Sequence, residues 1–212
     1  MQSLKERILK GESQTLEFKF ELNSARRIAE TISAFSNADG GTILVGVKDN
    51  GALAGIRLDE EIYVLDAAAT MYCKPPVVLQ TRRWDIDGKS ILEAEVPIAN
   101  EKPVKAEIAA GESKAWIRYG ASNRLASPVH LALWQLDETQ KKAPAHFTEK
   151  EQKVLAVLQD KKWISLNQAT RFTKLPRHIV ARTLAQFLRW EIITCETEHS
   201  GGFVFILNDD TI

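Results

Sequence analysis

Cysteine is scarce in this chain: Cys73 and Cys195 are the only two among 212 residues. They stand far apart and fit no metal-ligand spacing, which excludes a cysteine metal site. Both read as small hydrophobes. Long apolar runs are also missing, since none approaches the roughly 20 residues needed to span a bilayer. The first residues, MQSLKERILKGES, are charged and contain no apolar signal region. A cytoplasmic protein with no membrane partner is therefore expected. No GxxxxGK[ST] stretch occurs, which excludes a Walker-type phosphate cradle. The four histidines, His130, His146, His178 and His199, are scattered, and they form no Ser/His/Asp or Cys/His grouping. Charge of one sign is lacking as well. The 28 basic and 28 acidic residues cancel, whereas a dedicated nucleic-acid binder is usually basic.

What is present is ordinary in bulk and uneven in detail. The chain is 44% apolar and 26% charged, as a globular protein is. Its length suits one large or two small domains. Leu4, Ile8 and Leu9 share a helical face, which Gly11 ends. Thr15 to Phe20 alternates with the period of a half-buried strand. Asn23 or Ser24 can cap a helix carrying Ile28, Ile32 and Phe35. Gly40-Gly41 then leads into Thr42 to Val47, a nearly continuous apolar run that reads as a central strand. Asp49-Asn50-Gly51 has turn chemistry, and residues 53–56 return. A second helix over 59–73 is followed by strands at 77–84, 90–97 and 114–118. Asp87-Gly88 marks a hairpin between the first two. Residues 98–111 read as a loop with some strand, and residues 120–135 as GASNRLASP followed by a helix.

The C-terminal part has a different pattern. Residues 137–145, DETQKKAPA, are polar and read as linker. Thr148 and Ser165 can cap two helices, and Pro176 suits the first turn of a third. Strands at 192–196 and 203–207 flank a turn at 199–202. Three helices followed by a hairpin describe a winged helix-turn-helix. The expected division is an α/β domain over 1–134, a linker over 135–146 and the winged helix over 147–212.

Two constellations can carry chemistry. Between Arg171 and Arg189 lie Lys174, Arg177 and Arg182, with no acid. In a helix-turn-helix the third element enters the major groove with its N-terminal side chains on base edges. Those side chains are Arg177, His178 and residues 180–182, with Arg177 and Arg182 suited to guanine or phosphate. Arg171 and Lys174 suit the flanking backbone, and His199 and Ser200 sit at the wing tip. Such a fold also serves as a protein-interaction or dimerisation module. The second constellation is Glu12, Glu17 and Asp49. Three carboxylates from neighbouring strand ends can share Mg²⁺ or Mn²⁺, as a nuclease requires. The other reading of Glu17 is a pairing with Lys19, Arg26 or Lys48.

GES-x-x-LEFK followed by ISAFSNADGG-T-ILVGVKDNG resembles the Schlafen AlbA-like domain, a nucleic-acid-binding domain common in bacterial regulators. KPVKAEI and AWIRYGASNRLAS resemble that domain's closing segment. The resemblance covers roughly residues 1–130. In bacteria such a domain is often followed by a winged helix, and these proteins are described as transcriptional regulators. In relatives with RNase activity, the catalytic and metal-binding carboxylates fall at Glu12, Glu17 and Asp49. Lys48 departs from the pattern, because relatives often have a second acid there. The resemblance implies an α/β (α+β) domain and a transcriptional regulator. The helix-turn-helix reading makes double-stranded DNA the expected partner, and the limited specificity of one small winged helix makes a homodimer the expected form. Metal-dependent endoribonuclease activity and a non-enzymatic interaction module are the alternatives.

Overall fold

A computed structural model describes residues 4–136, 143–198 and 201–208. The chain divides into two units, Met1–Leu125 and Ala126–Ile212. Among the described residues, no helix is long and apolar enough to cross a membrane.

The N-terminal unit is mixed α/β. Helix α1 (Leu4–Leu9) precedes strand β1 (Leu16–Lys19), helix α2 (Ala25–Asn37) and strand β2 (Gly41–Val45). Helix α3 (Leu58–Thr70) and strands β3 (Cys73–Lys74), β4 (Gln80–Ile86) and β5 (Lys89–Val96) follow. Strands β6 (Lys105–Ala109), β7 (Glu112–Tyr119) and β8 (Ser122–Leu125) close the unit. One sheet has the order β1-β2-β5-β4, and a second has the order β3-β6-β7-β8. Among the described residues only β1 and β2 pair in parallel, as the α2 crossover between them demands. Asp87-Gly88 takes positive φ at both positions, which gives the β4–β5 hairpin its turn.

The period of two explains the layers. Leu44 and Ile91 turn to one face of the first sheet, where Leu4 and Ile8 of α1 cover them together with Leu16 and Phe18. Ile43, Val45, Leu92, Ala94 and Val96 turn to the other face, against Ile28, Ile32 and Phe35 of α2. That arrangement makes β2 and β5 buried on both sides, hence their apolar runs. Ser24 caps α2 through its side chain. At the other end, Lys102 Nζ donates to the carbonyls of Asn37 and Ala38 at 3.0 and 3.2 Å, the favourable position for a cation. Gly40-Gly41 is required by close packing. A Cβ on Gly41 would lie 2.7 Å from the Phe35 ring, and one on Gly40 would lie 2.9 Å from the Val96 carbonyl.

The C-terminal unit begins with helix α4 (Pro128–Trp134). Helix α5 (Glu149–Lys161), strand β9 (Trp163–Ser165), helix α6 (Leu166–Thr173) and helix α7 (Arg177–Arg189) follow. Strands β10 (Ile193–Thr197) and β11 (Phe203–Leu207) form an antiparallel pair, and β9 adds to β11. Ser127, Thr148 and Ser165 each cap a helix within a capping box. Val154, Leu158, Ile164, Val180, Leu184, Phe187 and Phe205 form the core.

The expected domain boundary at residue 134 differs from the observed division. Helix α4 packs on α7 within the C-terminal unit, and Val129 and Leu136 join that unit's core. The short strands β3, β8 and β9 are also additions to the sequence reading. Half of the expected linker over 135–146, residues 137–142, lies outside the described residues.

Candidate functional site

The two signature segments of the N-terminal unit meet at one buried side chain, Arg118. It sits on β7 in the second sheet and reaches β1 at the edge of the first. Its Nη1 lies 2.5 Å from Glu17 Oε2 and donates to Asn123 Oδ1 at 2.8 Å. Its Nη2 donates to the carbonyls of Ser13 and Leu16 at 2.8 and 3.2 Å, and its Nε donates to Ser13 O at 3.2 Å. The guanidinium also stands 4.9 Å from the centre of the Phe35 ring. Asn123 in turn donates to Thr31 Oγ1 of α2. Arg118 and Glu17 are both buried, so this is a desolvated pair whose hydrogen-bonding groups are engaged on several sides.

This arrangement accounts for the carboxylates one by one. Glu17 Oε1 pairs with Lys19 while Oε2 holds Arg118. Glu12 Oε1 accepts the backbone N–H of Phe18 at 2.8 Å. Strand β1 is an edge strand, and Phe18 N–H points away from β2. Glu12 satisfies that donor and Arg118 satisfies the Leu16 carbonyl, so the open edge is covered. Asp49 is exposed in the turn that Gly51 N–H closes onto Lys48 O at 2.7 Å. Lys48 Nζ stands 5.7 Å from the Phe20 ring.

The expected cation site at Glu12, Glu17 and Asp49 is not assembled. Among the described residues, no group of three or more His, Cys, Asp or Glu is placed to hold a metal ion. The physical reason is that a cation at Glu17 would have to displace two protein cations already bound there. Sequence spacing singled out Glu17 but missed Arg118 and Asn123. The usable signal was the IRYGASNR stretch itself, in which a buried arginine needs several acceptors.

A second polar knot explains the SNADGG segment. Asn37 donates to the carbonyls of Val104 and Trp116 at 2.7 and 2.8 Å, and it accepts from Val104 N–H at 2.8 Å. It thus ties the end of α2 to β7 and to the residue preceding β6. A cleft of about 560 Å³ beside β1 is lined by Arg7, Lys10, Thr15, Asp39, Thr42 and Glu95, among others. Its cations and acids balance, so it selects no charge.

In the C-terminal unit, residues 174–176 form a three-residue turn between α6 and α7, with Lys174 in the left-handed region at φ 55°. Arg171, Lys174, Arg177, His178 and Arg182 are all exposed. Arg177 hydrogen-bonds Asn167 at the start of α6. His178 and Arg182 lie one turn apart on the outer face of α7. Val180 and Ala181, expected among the contact residues, are instead buried in the core. Arg189 is drawn away from the basic face. Its Nη2 donates to the carbonyls of Leu133 and Leu136 at the end of α4. His199 and Ser200 lie outside the described residues.

His130 on α4 is buried and packs edge-on against Phe203, with ring centres 4.5 Å apart. Burial lowers its pKa from 6.5 to about 4. Its Nδ1 accepts from Ser127 N–H at 3.2 Å, which places the proton of the neutral ring on Nε2, 3.9 Å from Cys195 Sγ. Cys73 is buried in the other unit, and burial pushes its thiol up to about 12, so it is an inert core residue.

The two clasped sheets and the α2 crossover define a mixed α/β domain held by one buried arginine. A family model described as Schlafen, AlbA_2 matches residues 12–127, and the chain belongs to that family. No curated protein matches the chain. Among solved structures, the DIP2311 protein of Corynebacterium diphtheriae is similar at 17% identity with a TM-score of 0.49 over 92% of this chain. This chain spans only 34% of the length of that protein. The N-terminal domain of a RecG-related protein from Nitrosomonas europaea is similar at 19% identity with a TM-score of 0.42. That match covers 70% of this chain and 100% of the other.

Proposed function

We propose that the protein is a DNA-binding transcriptional regulator whose C-terminal unit is a winged helix-turn-helix. In this reading α7 is the recognition helix, α6 the preceding helix and β10–β11 the wing. The observation that carries the reading is the outer face of α7. It follows a three-residue turn, leaves His178 and Arg182 exposed beside Arg177, and carries no acid. Arg177 and Arg182 reach base edges or phosphates, and Arg171 and Lys174 contact the flanking backbone. The AlbA_2 domain adds nucleic-acid contact, oligomerisation or sensing. A homodimer fits, because a single small module buries little surface on DNA.

Gel shifts and anisotropy titrations on duplex DNA test the reading. The Arg177→Ala/Arg182→Ala double variant should bind at least about tenfold more weakly. The slope of log K against log salt should fall by about 2, near 0.9 per lost phosphate contact. Parent-like binding by the double variant at every salt concentration would remove α7 as the reading head.

A further inference from the structure

The end of the C-terminal unit formed by α5 and α6 carries a feature that the recognition helix does not explain. Residues 161–190 contain three lysines, four arginines and neither Asp nor Glu, in a chain whose total charge is zero. Part of this charge lies off α7. Phe172, on the last turn of α6, is 42% exposed. Two cations flank its ring: the Arg171 guanidinium is 4.9 Å from the ring centre and Lys161 Nζ is 5.5 Å from it. Lys162 follows at the cap of α5, and Trp163 beyond it is 49% exposed. Asp160, immediately before this stretch, pairs with Lys161 at 3.0 Å.

A core-forming role does not account for Phe172, because nearly half of it faces solvent. A base stacking there takes the place of the Arg171 and Lys161 side chains over the ring, and the displaced cations pair with the phosphates that the base brings. Bases inside a duplex do not present a free π-face, whereas unpaired bases do.

We propose that the α5–α6 end is a second nucleic-acid contact, which stacks an unpaired base on Phe172 while Lys161, Lys162 and Arg171 hold the adjoining phosphates. Its ligand is single-stranded nucleic acid, and of its residues only Arg171 also belongs to the set assigned above to the duplex backbone. The proposal stands apart from the recognition-helix reading and can fail alone.

The test is fluorescence anisotropy of the full-length protein with a labelled 15-nucleotide oligo-dT, run beside a duplex of equal length. The parent should bind oligo-dT, and Phe172→Ala should weaken that binding by about 5- to 150-fold, as loss of one stacked base does. Phe172→Trp should retain it. Lys161→Gln with Lys162→Gln should lower the single-strand salt slope by about 1.4, near 0.7 per contact. Arg182→Ala should leave oligo-dT binding unchanged whatever it does to the duplex. Circular dichroism checks that each variant is folded, and Phe172 is exposed enough for the alanine to be tolerated. No oligo-dT binding by the parent, or parent-like binding by Phe172→Ala, overturns the proposal. Loss of both ligands in Arg182→Ala also overturns it, because the two sites would then be one.

Discussion

Arg118 Nη1 stands 2.5 Å from Glu17 Oε2, and both side chains are buried. The pair joins an edge strand of one sheet to a strand of the other. It turns a motif with the composition of an active site into a clasp. Removing one partner leaves an unpaired buried charge, which costs about 3–5 kcal/mol. Arg118→Met should therefore destabilise the N-terminal unit by that amount in urea unfolding. The double variant Glu17→Met/Arg118→Met should recover only part of the loss, because Ser13 O also loses its donors. Full recovery would mean that the backbone contacts of Arg118 contribute nothing.

Divalent cations should not stabilise the protein through Glu12, Glu17 and Asp49. With about 1 mM Mn²⁺, a bound site of micromolar affinity would add roughly 4 kcal/mol and raise Tm by several degrees. The expected shift is below about 1 °C. A rise that Glu17→Gln abolishes would restore the nuclease reading.

Arg189 separates basic composition from basic surface. It belongs to the run that ends α7, yet it caps α4. Arg189→Ala should lower the stability of the C-terminal unit by about 1–2 kcal/mol. Its effect on the duplex salt slope should be near zero, in contrast to Arg182→Ala. Equal slopes for the two variants would contradict the placement.

His130 makes stability depend on pH. Its pKa is about 4 in the fold and 6.5 when exposed, so the unfolded chain binds the proton more readily. The stability it contributes is complete above pH 6.5 and falls as pH drops towards about 4. The loss is at most about 3 kcal/mol, from 1.36 kcal/mol per unit. Unfolding free energies of the parent and His130→Gln, measured across that window, should converge at the acid end. Parallel curves would show that His130 does not titrate in this way.

Much of the fold was legible in the chain because local rules suffice for it. The apolar run at 42–47 could only be a strand covered on both faces. Asp87-Gly88 could only turn tightly, and Thr148 and Ser165 sit where capping oxygens belong. Strands β3, β8 and β9 were not legible, because segments of two to four residues have no period of their own and depend on their partners. Helix α4 was assigned to the wrong unit for a similar reason. Its chain neighbours are in the first unit, but the surface it covers is on α7.

The sequence by itself determined the order of the longer elements, the family signature and the charge bias of the C-terminal region. Those properties are carried by neighbouring residues and by periodicity. Only the tertiary structure decided what the signature does. Glu12 and Glu17 are acidic because an edge N–H and a buried arginine need acceptors, and that arginine lies 101 residues from Glu17 along the chain. Spacing within one segment cannot reveal such a partner, because the pairing is made by two sheets brought together around α2.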